Sequence, residues 1–275
     1  YQVTGDVSYK TGNIDFNGSV TITGSVLAGF EVKADGDIVI NGMAEPSMIE
    51  AQGSVIINGG IQGGGKGKVK AKGSIKAKFA IDATLEADGD IILQTQCINC
   101  EVITRKSLKL VGNRSVIAGG TICAMDGIQS HFVGTEMGVK TILQIGMDYA
   151  LPQKISAAEE ELDQATKKHK DVQRLVSQLN TAKERLETLP SAQEAIRVKA
   201  VREQFLLSGR IESLSKSIEE MKNELQRSRS GIVQVEDTAF AGVIVRFPGD
   251  TYPVNHPHRY TTFYYEKGEI NTRAR

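Results

Sequence analysis

The chain has 275 residues, with 33 Lys and Arg against 33 Asp and Glu, and a net charge of zero exerts no global pull on nucleic acid or an anionic membrane. Aromatic residues make up 5% and Trp is absent, a thin supply for a protein that stacks bases or sugars. No apolar run reaches the roughly 20 residues that span a bilayer, and three cysteines, Cys97, Cys100 and Cys123, suit a reducing compartment better than a disulfide framework. The chain begins on Tyr1 rather than Met, as expected of a piece of a longer protein.

The first 110 residues repeat. Aligned on Gly18, Gly36, Gly53, Gly73 and Gly89, they give IDFNGSVTI, VKADGDIVI, IEAQGSVII, VKAKGSIKA and LEADGDIIL, and a sixth copy, VITRKSLKL, has Lys106 in the glycine position. Four residues before the glycine stand Ile14, Val32, Ile49, Val69, Leu85 and Val102; two after it stand Val20, Ile38, Val55, Ile75, Ile91 and Leu108. This period-2 alternation marks half-buried strands, and the glycine reads as a corner where a positive φ costs little. A unit of about 17 residues cannot bury its own apolar face, so successive units must stack into a continuous column. The expected fold class is a right-handed parallel β-helix, because the intervals wander too much for a strict hexapeptide coil. Residues 113–148 are richer in Gly and read as less regular coils. The glycine cluster from Gly59 to Gly67 is expected to bulge as a corner, since no Gly-Lys-Ser/Thr and no helix follow it.

Composition changes at Pro152, where Ala, Glu, Gln, Lys and Leu take over. Ile155, Ala158, Leu162, Ala165, His169, Val172, Val176, Leu179, Leu186 and Leu189 keep mostly to steps of 3 and 4, the spacing of a heptad seam. A second seam runs through Leu207, Ile211, Leu214, Ile218, Met221 and Leu225. Ser191 with Glu194 fits a capping box between them, and Gly231 fits a helix stop. Two helices with a short joint predict an antiparallel coiled-coil hairpin. From Ile232 the pattern is β again, so the helices interrupt the β domain, and the aromatic tail from Phe247 to Tyr265 is expected to cap the end of the stack. The domain reading is 1–150 β-helix, 151–230 hairpin and 231–275 returning β segment.

Few residues suggest chemistry. Lys66, Lys68, Lys70, Lys72, Lys76 and Lys78 form either a basic patch for an acidic partner, phosphate or lipid, or a solvated ladder with Lys70 stacked between Glu50 and Glu86 and Lys72 between Gln52 and Asp88. Cys97 and Cys100 have the spacing of half a zinc site but lack paired ligands and lie in β sequence, which favours turn or core cysteines. His256 and His258 flank Pro257 in a loop, and His169 reads as a polar seam residue. No nucleophile, acid–base or cofactor motif is evident, so neither cofactor nor metal is expected. The partner-binding candidates are Lys66, Lys68, Lys70 and Lys72 on the β face and Leu207, Ile211, Leu214 and Ile218 on the hairpin.

Three stretches carry a resemblance: Ala118–Ile122; Gly134 to Thr141 with Gln144-Ile145-Gly146; and Gly242–Val245 with Phe263 and Gly268-Glu269-Ile270. With a β-repeat domain split by helices, they resemble the flagellar assembly protein A family over essentially the whole chain. Phe240-Ala241-Gly242 stands where Tyr-Pro-Gly is more usual, with the glycine kept. The resemblance implies a bacterial cytoplasmic protein acting in flagellar assembly, with no established catalytic residues to carry over. It favours a non-enzymatic scaffold or adaptor binding protein partners, such as flagellar assembly or regulatory factors, with self-association also open. The alternatives are a polysaccharide-acting β-helix enzyme, which needs clustered carboxylates and sugar-stacking aromatics, and an anionic-surface binder using Lys66 to Lys78, against which the zero net charge argues.

Overall fold

The alternating apolar residues of the repeat form the inner face of a parallel β-solenoid in the computed structural model, which describes residues 1–146, 151–186 and 190–274. The chain divides into two compact units, Tyr1–Tyr149 with Gln226–Arg275, and Ala150–Leu225. In the first unit, short strands come first: β1 (Gln2–Val3), β2 (Ile14–Phe16), β3 (Val20–Ile22), β4 (Glu31–Ala34), β5 (Ile38–Ile40), β6 (Met48–Ala51) and β7 (Val55–Ile57). Then β8 (Ile61–Ala71), β9 (Ile75–Ala87) and β10 (Ile91–Thr104) run on through corners, followed by β11 (Ser107–Leu110), β12 (Val116–Ala124), β13 (Gly127–Val133) and β14 (Thr141–Ile145).

Register follows the repeat alignment. Ile14 pairs with Val32, then Ile49, Val69, Leu85 and Val102 in succession. Val20 pairs with Ile38, then Val55, Ile75, Ile91 and Leu108. These columns are buried, and each Ile or Leu so placed contributes about 1.5–3 kcal/mol by leaving water. A third side, invisible in the repeat alignment, stacks Val7, Val26, Ala44, Ile61, Ala80, Cys97 and Ile117. Each coil is therefore three-sided.

The corner glycines differ from expectation. Gly18, Gly36, Gly53, Gly73 and Gly89 do not have positive φ. Their reason is close stacking: a Cβ on Gly53 would lie 2.2 Å from Asp37 Oδ1, and one on Gly73 would lie 2.3 Å from Ser54 Oγ. The crowding oxygens form a ladder, in which the Ser54 N–H donates to Asp37 Oδ1 (2.7 Å) and the Ser74 N–H to Ser54 Oγ (3.1 Å). Where Lys106 replaces the glycine, Thr104 takes over the corner, donating to the Gly89 carbonyl and accepting from the Lys106 N–H. Positive φ occurs instead at the corner after the third side, at Gly29, Asp82, Asn99 and Gly119, where Asp and Asn tolerate it better than other side-chain residues. The glycine cluster does bulge: register shifts between Gln62 and Gly67, and Gly64 and Gly65 have positive φ.

The second unit holds α1 (Leu151–Leu186) and most of α2 (Ser191–Ser230). Lys222 pairs with Glu159, Arg210 with Glu161, Lys168 with Glu203 and Lys183 with Glu194; as numbers rise on α1 they fall on α2, so the helices are antiparallel. Ala165, Val176, Ala200 and Ile218 are buried along the seam. Leu189 and the side chain of Leu186 lie outside the described residues. The capping box does not form: the Pro190 carbonyl accepts from the Gln193 and Glu194 N–H groups, and the Glu194 carboxylate is taken by Arg197 and Lys183.

After the helices the solenoid resumes. β15 (Ile232–Ala239) pairs parallel with β13, and β16 (Val243–Phe247) pairs parallel with β14. The insertion thus replaces one corner, the turn that in earlier coils needs only residues such as Asp35-Gly36-Asp37. β17 (Asp250–Pro253), β18 (His258–Glu266) and β19 (Glu269–Ala274) then reverse direction, with β18 antiparallel to β15 and β19 antiparallel to β18. The aromatic tail covers the last coil, and Phe247 and Phe263 are fully buried in it.

Candidate functional site

The lysine run is divided by its own corner. Lys68 and Lys70 lie on β8, whereas Lys76 lies at the start of β9, beyond Gly73. Lys66 belongs to the exposed excursion with Gly64 and Gly65. On the β8 side the charges alternate up the stack: Lys33 pairs in register with Glu50, Glu50 with Lys70, and Lys70 with Glu86. Glu86 lies 2.7 Å from the Lys68 ammonium and 3.8 Å from that of Lys70, and Asp88 pairs with Arg105 at 3.0 Å. Lys72 has no ion pair among the described residues. Exposed pairs of this kind contribute about 0–1 kcal/mol each. A continuous basic patch does not result, because acidic rows interleave with the basic one.

Cys97 and Cys100 are buried in the stack. A hydrogen bond shared between the two thiols, then burial, holds Cys97 well above its ordinary range, and the same bond lowers Cys100. Among the described residues no group of three or more His, Cys, Asp and Glu is placed to hold a metal ion. His258 packs edge-on against Tyr252, with centroids 6.0 Å apart, and His169 Nε2 meets Ser208 Oγ across the hairpin seam at 3.0 Å.

The hairpin holds the sharper feature. Leu207, Ile211 and Leu214 are half-buried and Ile218 is buried, because they face α1 along the seam. Leu207, Ile211 and Leu214 keep part of their apolar surface exposed beside the seam. Ahead of those seam positions α2 carries a second apolar set, Val198, Val201, Phe205 and Leu206, exposed by 57%, 42%, 78% and 62%. Val198, Val201 and Phe205 follow steps of 3 and 4, so they share one helix face. Sequence reasoning missed this face because the α2 seam was traced only from Leu207 onward. The signal was present: Val198, Val201 and Phe205 sit out of phase with the seam position Ala200.

No helix of the described residues is long and apolar enough to cross a membrane. A family model described as the Flagellar Assembly Protein A beta solenoid domain matches residues 1–270. Comparison with curated proteins and with solved structures returned no significant match.

Proposed function

The chain belongs to the flagellar assembly protein A family, and from that premise we propose that it is a non-enzymatic scaffold in flagellar assembly that binds a partner protein through α2. The carrying observation is the exposed face of Val198, Val201 and Phe205, with Leu206 exposed beside it, on a helix whose other side carries the packed seam. A soluble surface rarely keeps several large apolar side chains together unless they meet something, and a helix face of this spacing fits a groove or a second helix. The solenoid supplies the stable base: acidic and basic rows alternate on its β8 side, and its buried columns leave few side chains free for chemistry. The same balance speaks against an anionic-surface binder. Cytoplasmic action fits this reading.

Replacing Val201 and Phe205 by Asp tests it. The pair leaves the seam untouched, so helical content and thermal unfolding are expected to stay within error of the parent. In cells whose own copy carries both substitutions, flagellar number and motility are expected to fall to the level of a deletion strain. Normal motility in such cells, with the variant present at normal abundance, would sink the α2 assignment.

A further inference from the structure

A cleft of about 480 Å3 opens at the end of the solenoid's third side, between the end of β13, the end of β15 and the start of β18. Its floor carries the rings of Phe132 and Phe240, stacked with centroids 6.5 Å apart and planes 24° apart. Both rings are only half-buried. Glu136, Asp237 and Arg259 stand around them, and none of the three takes part in an ion pair among the described residues. Other charges of this unit are paired, as at Lys68 with Glu86 and Arg105 with Asp88. Here two carboxylates and a guanidinium share one cleft without an ion pair, and Asp237 Oδ1 accepts from the Thr238 hydroxyl at 2.8 Å.

The walls are preformed. The Gly134 N–H donates to the Ile117 carbonyl and the Phe240 N–H to the Val133 carbonyl, at 2.8 Å each. The turn at Gly138 lies against the turn at Gly242, where a Cβ would come within 2.6 Å of the Gly138 carbonyl oxygen. Both glycines have positive φ, so neither accepts a side chain without strain. Next to Glu136 at the rim, Met137 is 94% exposed.

The geometry points to a recognition site for an extended peptide segment of a partner protein, with a basic side chain laid on the Phe132 and Phe240 rings between Glu136 and Asp237, and an acidic neighbour meeting Arg259. An aromatic face with carboxylates beside it attracts a cation, and a volume of this size accommodates a side chain with its flanks. The cleft is open, lined apart from Thr238 by half-buried and exposed residues, so it covers one side of a ligand laid across it rather than enclosing a metabolite. The exposed Met137 extends the apolar contact beyond the cleft. This inference rests on the scaffold reading and adds a second, separate site to it.

The test uses the full chain, isotope-labelled, titrated with the blocked tetrapeptide acetyl-Leu-Arg-Asp-Leu-amide and, separately, with free arginine. Amide and ring shifts of Phe132, Glu136, Asp237 and Phe240 are expected to move with the peptide at low millimolar concentration or below. The double variant Glu136→Gln with Asp237→Asn is expected to bind it about tenfold more weakly, and Phe205→Asp is expected to leave it unchanged. Absence of shifts at these residues, or equal binding by the double variant, would overturn the proposal. Free arginine binding as tightly as the peptide would overturn the peptide assignment. The two readings fail separately: loss of motility in the α2 variant with no peptide binding here sinks the cleft alone, while peptide binding with motility unaffected by either set of variants sinks the scaffold role alone.

Discussion

At Gly53 a single added methyl group would sit 2.2 Å from Asp37 Oδ1 and 2.9 Å from the Gly36 carbonyl carbon. One neighbour is the end of a side chain that already accepts the Ser54 N–H; the other is backbone and cannot move without shifting the coil below. Gly53→Ala is therefore expected to cost about 1–3 kcal/mol by overpacking, read as a lowered midpoint in denaturant unfolding. Combining it with Asp37→Ala removes one of the two obstacles, so the pair should cost less than the sum of the single changes. Strict additivity would contradict the close-approach account. At the hairpin tip, the Arg197 guanidinium and then Lys183 hold the Glu194 carboxyl down to about 2 from its ordinary 4.5. A depressed carboxylate stabilises the folded form above its unfolded value and loses that contribution as pH falls through the folded one. A carbon-detected titration of Glu194 is expected to show its midpoint well below 4.5, moving back toward that value in Arg197→Gln; a wild-type midpoint at the ordinary value would contradict the arrangement.

Helices of 36 and 40 residues with seams this mixed depend on each other, because helical stability in water comes chiefly from packing of the apolar face. Leu214→Asp with Ile218→Asp places two charges in the seam, one of them at a buried position. Amide exchange in α1 and α2 is expected to become fast, while β4 to β10 keep their protection because none of their columns is touched. Protection surviving in both helices would refute the seam. How legible these elements were depended on the kind of signal each left. The first two sides of every coil gave two apolar residues in alternation, and the α1 seam gave steps of 3 and 4 from Ile155 to Leu179. The third side gave one apolar residue between turns, such as Val26 or Ala44, too little to form a period. At the hairpin tip, Glu194 and Arg197 occupy seam positions as an ion pair, which hydrophobic spacing cannot reveal. The cleft at Phe132 and Phe240 joins positions more than 100 apart in sequence across the insertion, and only the pairing of β13 with β15 brings them together. The corner glycines were visible as a column, but sequence does not separate a need for positive φ from a need for close approach.

At the scale of the whole molecule, the insertion sits where it disturbs the solenoid least. β14 and β15 pair with β12 and β13 as if an ordinary corner joined them. Gly146 and Gly231 bring the chain ends to that corner, where a Cβ on Gly231 would lie 2.6 Å from Ile145 Cγ2. Long excursions at such a point are inexpensive, since each doubling of loop length costs only about 0.6 kcal/mol in closure entropy. The converse follows. Replacing residues 147–230 by Asp-Gly-Asp, after the corner at Asp35, Gly36 and Asp37, is expected to leave a solenoid that unfolds cooperatively. The exchange removes the Arg227 fork on Asp126, with bonds of 2.8 and 3.0 Å, an exposed pair worth about 0.2–1 kcal/mol, and the buried Ser228 hydrogen bond to Met125, worth about 1 kcal/mol. The shortened loop offsets part of that loss. A midpoint within a few degrees of the parent's solenoid transition is the expected result by circular dichroism in the strand region. Aggregation or loss of the cooperative transition would mean that the helices are needed to close the last coils, and the two compact units would then fold as one.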